Sequence, residues 1–409
     1  MPSSLQRLRR ELFATPLDSL ISVLLIGGLT AAAAGLLHWA LAQAQWLVIQ
    51  ANSTLFAVGR YPLDQQWRLW LLTTLLAAAT GITWGLLRAW PRPDRPARLW
   101  PRNDVLASGL LAMIALLLPA ALALTPPLQL RWWGITALLL LARWGSGCWG
   151  RRVPGPIRRL LPLAWPVLYL LGMVLINGGL GLMPVPPSQW GGLLLTLIES
   201  SFAILLCFPL GILLALGRRS DLPLLRWGSV LYIEFIRGAP LITLLFLGQN
   251  ILGFLLPGGV APERVWRAAW VLTVFAAAYV AEAVRSGLAA VPRGQLEAAR
   301  SLGLPVHQAL IHVVLPQALR VALPATVGQF ITLLQDTTLL SLIGLLDLLG
   351  TARTVMANPA FLGKNAEVYL VLAVLFWCCC AALGLGSRAL ELRLNPNATV
   401  RSTLANAKA

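Results

Sequence analysis

The residues whose types and spacing could do chemistry fall into a few small groups. Glu234 and Arg237 are three apart in YIEFIRGAP, and Glu282 and Arg285 are three apart in YVAEAVRSG. On a helix each carboxylate then lies beside its own guanidinium, and the two charges neutralise one another. Either these pairs are structural, or they form a gate or partner contact that breaks during a conformational cycle. Gly238 and Pro240 permit a bend just past the first pair. Asp336, in ITLLQDTTLLSLIG, has no basic residue within one turn. With Thr337 and Thr338 it is suited to lining a passage, binding a substrate ammonium, capping a broken helix or meeting another subunit. Gln249 and Asn250 make a second polar spot. Glu297, Ala298 and Ala299, followed by Gly303, Leu315 and Pro316, put a carboxylate beside two small residues that another protein surface can approach closely. His307 and His312, five apart, sit about 140° apart around a helix, unlike a one-face ligand pair, so no metal site is expected. The chemistry on offer is ion pairing and polar binding, and no catalytic residue is assigned.

These groups have to be positioned by membrane helices. Of 409 residues 58% are hydrophobic and 11% charged, and several apolar runs reach the length of about 18 to 20 residues that crosses a bilayer. The chain reads as an all-α polytopic membrane protein with about ten spans, at 19–41, 69–88, 105–125, 130–148, 160–182, 190–216, 228–255, 267–289, 321–346 and 367–390. The first run lacks a clear small-residue cleavage site and reads as a retained helix. Arg143 interrupts the fourth run, but the charge distribution favours keeping it. With both termini cytoplasmic, the inner segments hold 25 of the 32 basic residues; only Arg60, Arg68, Arg131, Arg264, Arg267, Arg353 and Lys364 lie outside. Dropping the fourth span inverts everything after it. The net charge of +17 is thus a topology signal, and no nucleic-acid partner is expected. The five cysteines have no CxxC spacing and read as small apolar helix residues.

Composition divides the chain near 184–187. Residues 1–185 form an N-terminal membrane extension of about five spans with few polar residues inside them. Residues 189–392 form a core of about five spans that admits ionisable groups, and 393–409 are a cytoplasmic tail. Within the core, 293–316 is a polar interruption. Residues 293–302 are good helix formers, Gly303 permits a positive φ, Pro305 starts a second short helix and Pro316 ends it. The expectation is two short helices lying on the membrane surface.

QWGGLLLTLIESSFAILLCFPLGILLALGRRSDLPLLRWGSVLYIEFIRGAPLITLLF (189–246) resembles the opening of the polar amino-acid permease family of ABC importers. AAYVAEAVRSGLAAVPRGQLEAARSLGL (277–304), LPQALRVALPATVGQFITLLQDTTLLSLIGLLDLL (315–349) and the long extension are similar to the larger subunit of general L-amino-acid importers. The resemblance covers about 189–392. It implies a type I ABC importer permease core in the cell inner membrane, with 293–316 as the cytoplasmic EAA coupling loop. Glu297, Ala298, Ala299, Gly303, Leu315 and Pro316 would then dock on an ATPase. Val313, Gln335 and Gly328 depart from the residues common in relatives, which are Ile, Lys and Asn.

Further implications are import of L-amino acids by alternating access, a homologous second permease giving a heterodimer, an ABC ATPase dimer and a periplasmic amino-acid-binding protein. No G-x-x-x-x-G-K-[ST] phosphate loop occurs, and Lys364 and Lys408 are the only lysines. The chain is therefore not expected to be an enzyme or to bind a cofactor itself; ATP and Mg belong on the ATPase. An ABC permease for another small polar solute, a secondary amino-acid transporter and a non-transporting membrane scaffold or sensor are the alternatives.

Overall fold

A backbone surrounded by hydrocarbon must satisfy its polar groups internally, which favours helices throughout. The computed structural model describes residues 12–89, 112–113, 126–150, 155–251 and 262–394. Among them are two isolated bridges, Gly59 with Trp190 and Gly192 with Asp347, and no extended strand. The first part supplies α1 (Pro16–His38), which continues through a π turn at Trp39–Gln43, then the short α2 (Leu47–Ala51) and α3 (Ser53–Val58), α4 (Gln66–Ala89), α5 (Pro126–Trp149) and α6 (Gly155–Asn177). The second supplies α7 (Gly192–Gly217), α8 (Pro223–Gly238), α9 (Leu241–Asn250), α10 (Arg264–Ala290), α11 (Arg293–Ser301), α12 (Val306–Ala309), α13 (Leu315–Asp336), α14 (Leu348–Met356) and α15 (Asn365–Leu394).

Local chemistry sets several of these ends. Thr15 caps α1 by accepting the Asp18 N–H at 3.1 Å, with Pro16 next. Asp347 caps α14 by accepting from Leu349 and Gly350 at 3.1 and 3.0 Å. Pro223 opens α8, where its missing N–H costs nothing.

The expected ten spans are not all recovered. Seven helices among the described residues are long and apolar enough to cross a membrane, and eight if α8 and α9 count as one broken span. The expected run 105–125 lies outside the described residues except for 112–113. The fourth forms as α5, but it is not apolar enough to count; its buried Arg143 lies over the Trp84 ring of α4, 4.5 Å from the centroid. The seventh is bent by 104° between α8 and α9. Ala239 is extended there, and Pro240 caps α9 with φ −63° and ψ 134°, so the chain leaves helical geometry before it re-enters.

The core packs around α10, which lies against α7, α8, α9 and α13. Its buried face interleaves Val265, Leu272, Val280, Val284 and Leu288 with Ala268, Ala269, Ala276, Ala277, Ala281 and Gly287, small residues that let membrane helices approach. A Cβ at Gly287 would collide with the Ala318 carbonyl oxygen of α13. The compositional boundary near residue 185 is not a packing boundary. Val48, Ile49 and Phe56 of the extension share one buried cluster with Leu348, Ala352, Val355, Val368 and Leu372. The Gln45 N–H also donates to Glu367 Oε1 at 3.0 Å across that boundary, while within the extension the Tyr61 hydroxyl donates to the Ile176 carbonyl at 3.0 Å and buried Arg68 to the Met183 carbonyl at 2.8 Å.

Candidate functional site

Residues 293–316 form a helical hairpin with a specific turn. Helix α11 ends in a Schellman arrangement: the Leu304 N–H reaches the Ala299 carbonyl at 3.2 Å, and the Gly303 N–H reaches the Arg300 carbonyl at 2.9 Å. Gly303 sits at φ +87°, a conformation a side chain would strain. The Gln317 amide donates to Gln295 Oε1 at 3.1 Å and ties α11 to the start of α13. Glu297 and Ala298 are exposed, whereas Ala299 is buried. Successive helix residues point about 100° apart, so of the two alanines only Ala298 faces outward on this chain. Exposed Leu302 (84%), Val306 and Ile311 add apolar area to the same loop.

Pro316 does not end a short helix. The helical run continues from Val306 to Ile343. A π stretch at Leu310–Val314 precedes α13, so Pro316 falls in its first turn, where no i→i−4 donor is required of it. The second arm of the hairpin is therefore continuous with a membrane helix. Leu315 is half-buried against the core and Pro316 is exposed.

The two expected i, i+3 pairs form differently. Glu282 and Arg285 do pair, with Arg285 Nε 2.9 Å from Glu282 Oε2. Glu234 instead meets Arg218 at 3.0 Å, and the same Arg218 nitrogen is 2.9 Å from Glu282 Oε1. Arg237 reaches Glu282 Oε2 at 3.7 Å and lies over the Tyr279 ring, 5.6 Å from its centroid. Three guanidiniums thus share two carboxylates across α8, α10 and the turn after α7. Glu282, at the hub, has a side chain 17% exposed. Next to Arg218, Arg219 donates to the Leu288 carbonyl at 3.3 Å, near the end of α10. Sequence reasoning took Arg218 only as a topology charge, because its partners are 16 and 64 residues away.

Asp336 lines a cavity of about 200 Å³ between α10 and α13 with Phe275, Ala276, Tyr279, Gln329, Thr332 and Leu333. Thr337 and Thr338 turn instead to their own helix, donating to the Leu334 and Gln335 carbonyls at 2.7 and 2.8 Å. Gln249 is buried and donates to the Arg264 carbonyl at 2.7 Å, while its own carbonyl accepts from Arg267. Asn250 donates to Phe246 within α9. Gln249 thus joins α9 to the start of α10, and neither residue lines the Asp336 cavity. A residue that sequence reasoning missed is Glu199, fully buried in α7 with neither oxygen hydrogen-bonded among the described residues. Its signal was present: it is the one Asp, Glu, Lys, Arg or His in the run 190–216.

Residues 207–396 match the family of binding-protein-dependent transport system inner membrane components. The chain is 36% identical over 351 residues to the glutamate/glutamine/aspartate/asparagine transport system permease protein BztC of Rhodobacter capsulatus, covering 81% of this chain and 74% of BztC. That share exceeds what residues 189–409 alone can supply, so the likeness reaches into the extension. It is 42% identical over 238 residues to the inner membrane amino-acid ABC transporter permease protein YhdY of Escherichia coli K12, spanning 58% of this chain and 65% of YhdY. A solved structure titled as an amino acid ABC transporter with histidines has 31% identity, covering 49% of this chain and 92% of that one, with a TM-score of 0.44. By class the chain is a multi-pass inner-membrane component of binding-protein-dependent transport. More particularly, it belongs to the amino-acid ABC transporter permeases.

Proposed function

We propose that this chain is the membrane-spanning permease subunit of an ATP-driven importer, taking up L-amino acids delivered by a periplasmic binding protein. The observation that carries the reading is the 293–316 hairpin. Its exposed Glu297 and Ala298 stand on α11, which follows α10 after Val291 and Pro292, and its second arm runs unbroken into α13. A push on this hairpin therefore reaches two of the helices that line the Asp336 cavity. Docking on a separate ABC ATPase dimer, which binds ATP and Mg, is the use for such a surface, and the lack of a phosphate loop is consistent with it. In this reading the hairpin and both termini are cytoplasmic, and a homologous permease completes a heterodimer. Closure of the ATPase moves the two hairpins together and opens the core outward; hydrolysis restores the inward-facing form.

The test is reconstitution with the second permease, the ATPase and the binding protein. Uptake and substrate-stimulated ATP hydrolysis are measured for all amino acids, sugars and polyamines. Stimulation by amino acids is expected. Stimulation by sugars or polyamines alone moves the cargo to another polar solute, and uptake without the ATPase and binding protein replaces the reading with secondary transport.

A further inference from the structure

We infer that the N-terminal extension is a strut joined to the core at one end only, and that α7 and α10 swing from that joint during transport. The inference rests on the importer reading above and gives the extension a part in it. The joint lies where α7 begins. Gly59, in the turn after α3, forms a bridge with Trp190, and Gly192 forms one with Asp347, the cap of α14. The Gly192 N–H donates to the Leu346 carbonyl at 2.8 Å and to Thr351 Oγ1 at 3.2 Å, and the Leu348 N–H donates to Thr196 Oγ1 at 3.1 Å. A Cβ at Gly59 would collide with the Gly191 backbone, and one at Gly192 with the Phe56 carbonyl. Extension, α7 and α14 therefore meet backbone to backbone, a closeness that glycine alone allows. Trp190, 3% exposed, packs edge-on against Trp266 and brings the start of α10 to the same place.

The two ends of the core are held differently. Packing between extension and core gathers at the joint: α3 lies on α7 and α14, and α2 on α15, whereas α4 packs chiefly on α5 and α6 within the extension. Tyr61, Leu69, Ile176 and Val185, the extension residues buried in the main core cluster, all belong to the joint end of α4 and α6 or to the loops beside it. At the other end of α7, 26 residues and about 39 Å along, the fastening is Arg218 to Glu234 and Glu282, with 28% of the Arg218 side chain exposed. Partly exposed ion pairs exchange partners at little cost. A buried backbone joint cannot open without leaving N–H and C=O groups unsatisfied. Helices fixed at one end and exchangeably held at the other move as a hinge. A push on the hairpin thus turns α7 and α10, which pack on each other, about the joint, while α4, α5 and α6 stay behind.

The experiment uses the complete transport complex in proteoliposomes, with the five native cysteines of this chain replaced and spin labels placed on new ones. Leu63 and Leu197 flank the joint, Leu160 of α6 and Leu302 of the hairpin span the other end, and all four side chains are exposed. Pulsed-EPR distances are read without nucleotide and with ATP and vanadate, and uptake is measured on the same vesicles. The Leu63 to Leu197 distance is expected to hold while the Leu160 to Leu302 distance shifts. A joint pair that moves as far as the hairpin pair overturns the inference alone, as does a hairpin pair that stays put in vesicles that take up amino acids. Gly59→Val, which forces the joint apart, is expected to raise the ATP hydrolysed per amino acid taken up about fivefold or more, the size of an ordinary coupling between sites. Gly35→Val, in α1 with open space around it, is expected to leave that ratio unchanged. An assembled Gly59→Val complex with an unaltered ratio also overturns the inference; if that variant does not assemble, the label distances decide. Vesicles with no ATP-dependent uptake of any amino acid overturn the importer reading together with the inference.

Discussion

Arg218 and Glu282, 64 residues apart in sequence, meet at 2.9 Å, and the same Arg218 nitrogen also holds Glu234 at 3.0 Å. One side chain therefore fastens the turn after α7 to α8 and to α10. Arg218→Gln is expected to loosen all three together, costing about 2 kcal/mol, between the values for exposed and fully buried pairs. A double-mutant cycle with Glu282→Gln, read by thermal melting of the purified complex, should give a coupling energy of about 1 to 2 kcal/mol. Additive effects would show that the contact does not hold the helices.

Substitutions on the hairpin should separate its two faces. Glu297→Lys and Ala298→Trp are expected to abolish uptake by preventing ATPase binding, with normal membrane insertion. Ala299→Trp acts inward, so it is expected to lower the melting temperature as well. Co-purification with the ATPase, compared with melting of the permease alone, distinguishes them; full ATPase capture by Ala298→Trp would count against the docking surface.

At Gly303, φ is +87°. Gly303→Val is expected to cost about 1 to 3 kcal/mol of local stability, because a β-branched residue is strained there. Gly303→Asn should be milder, since Asn tolerates the left-handed region. Limited proteolysis and hydrogen exchange across 299–306 provide the readout, and equal protection in both variants would contradict the turn.

Helix contact through α10 is tested at Gly287. Gly287→Leu must push Ala318 and Ala322 of α13 away and is expected to destabilise the permease by about 1 to 3 kcal/mol or more. Gly35→Leu in α1, where nothing lies within 4 Å of an added Cβ, is the matched control and is expected to be neutral. Melting of both variants in the same lipid decides the matter.

Local rules were readable from sequence where they act locally. Apolar runs became helices, Gly303 took its positive φ, and Gly238 with Pro240 marked a break. Features decided by distant partners were not. Arg218 could not be matched to Glu282 because the pairing depends on how α7 and α10 pack. The continuity through Pro316 depends on a π turn that accommodates the ring, and Pro316 alone suggests a stop. The orientation of Ala299 depends on the hairpin closing, and the backward bonds of the Thr337 and Thr338 hydroxyls to helix carbonyls exist only once the 3₁₀ turn forms, so the sequence left path lining, capping and subunit contact open for them. Glu199 was legible as an ionisable residue in an apolar run, although its burial was not.

The cluster joining Val48, Ile49 and Phe56 to Leu348, Val355, Val368 and Leu372 also has a consequence in time. The early residues leave the ribosome almost 300 residues before their partners, a delay of roughly 15 to 60 s at ordinary synthesis rates. Through that interval their apolar faces must rest against lipid or an insertion chaperone. Completion of α15 then acts as the closing stitch of biogenesis, and a chain truncated before Leu348 would be retained by quality control with its first helices correctly inserted.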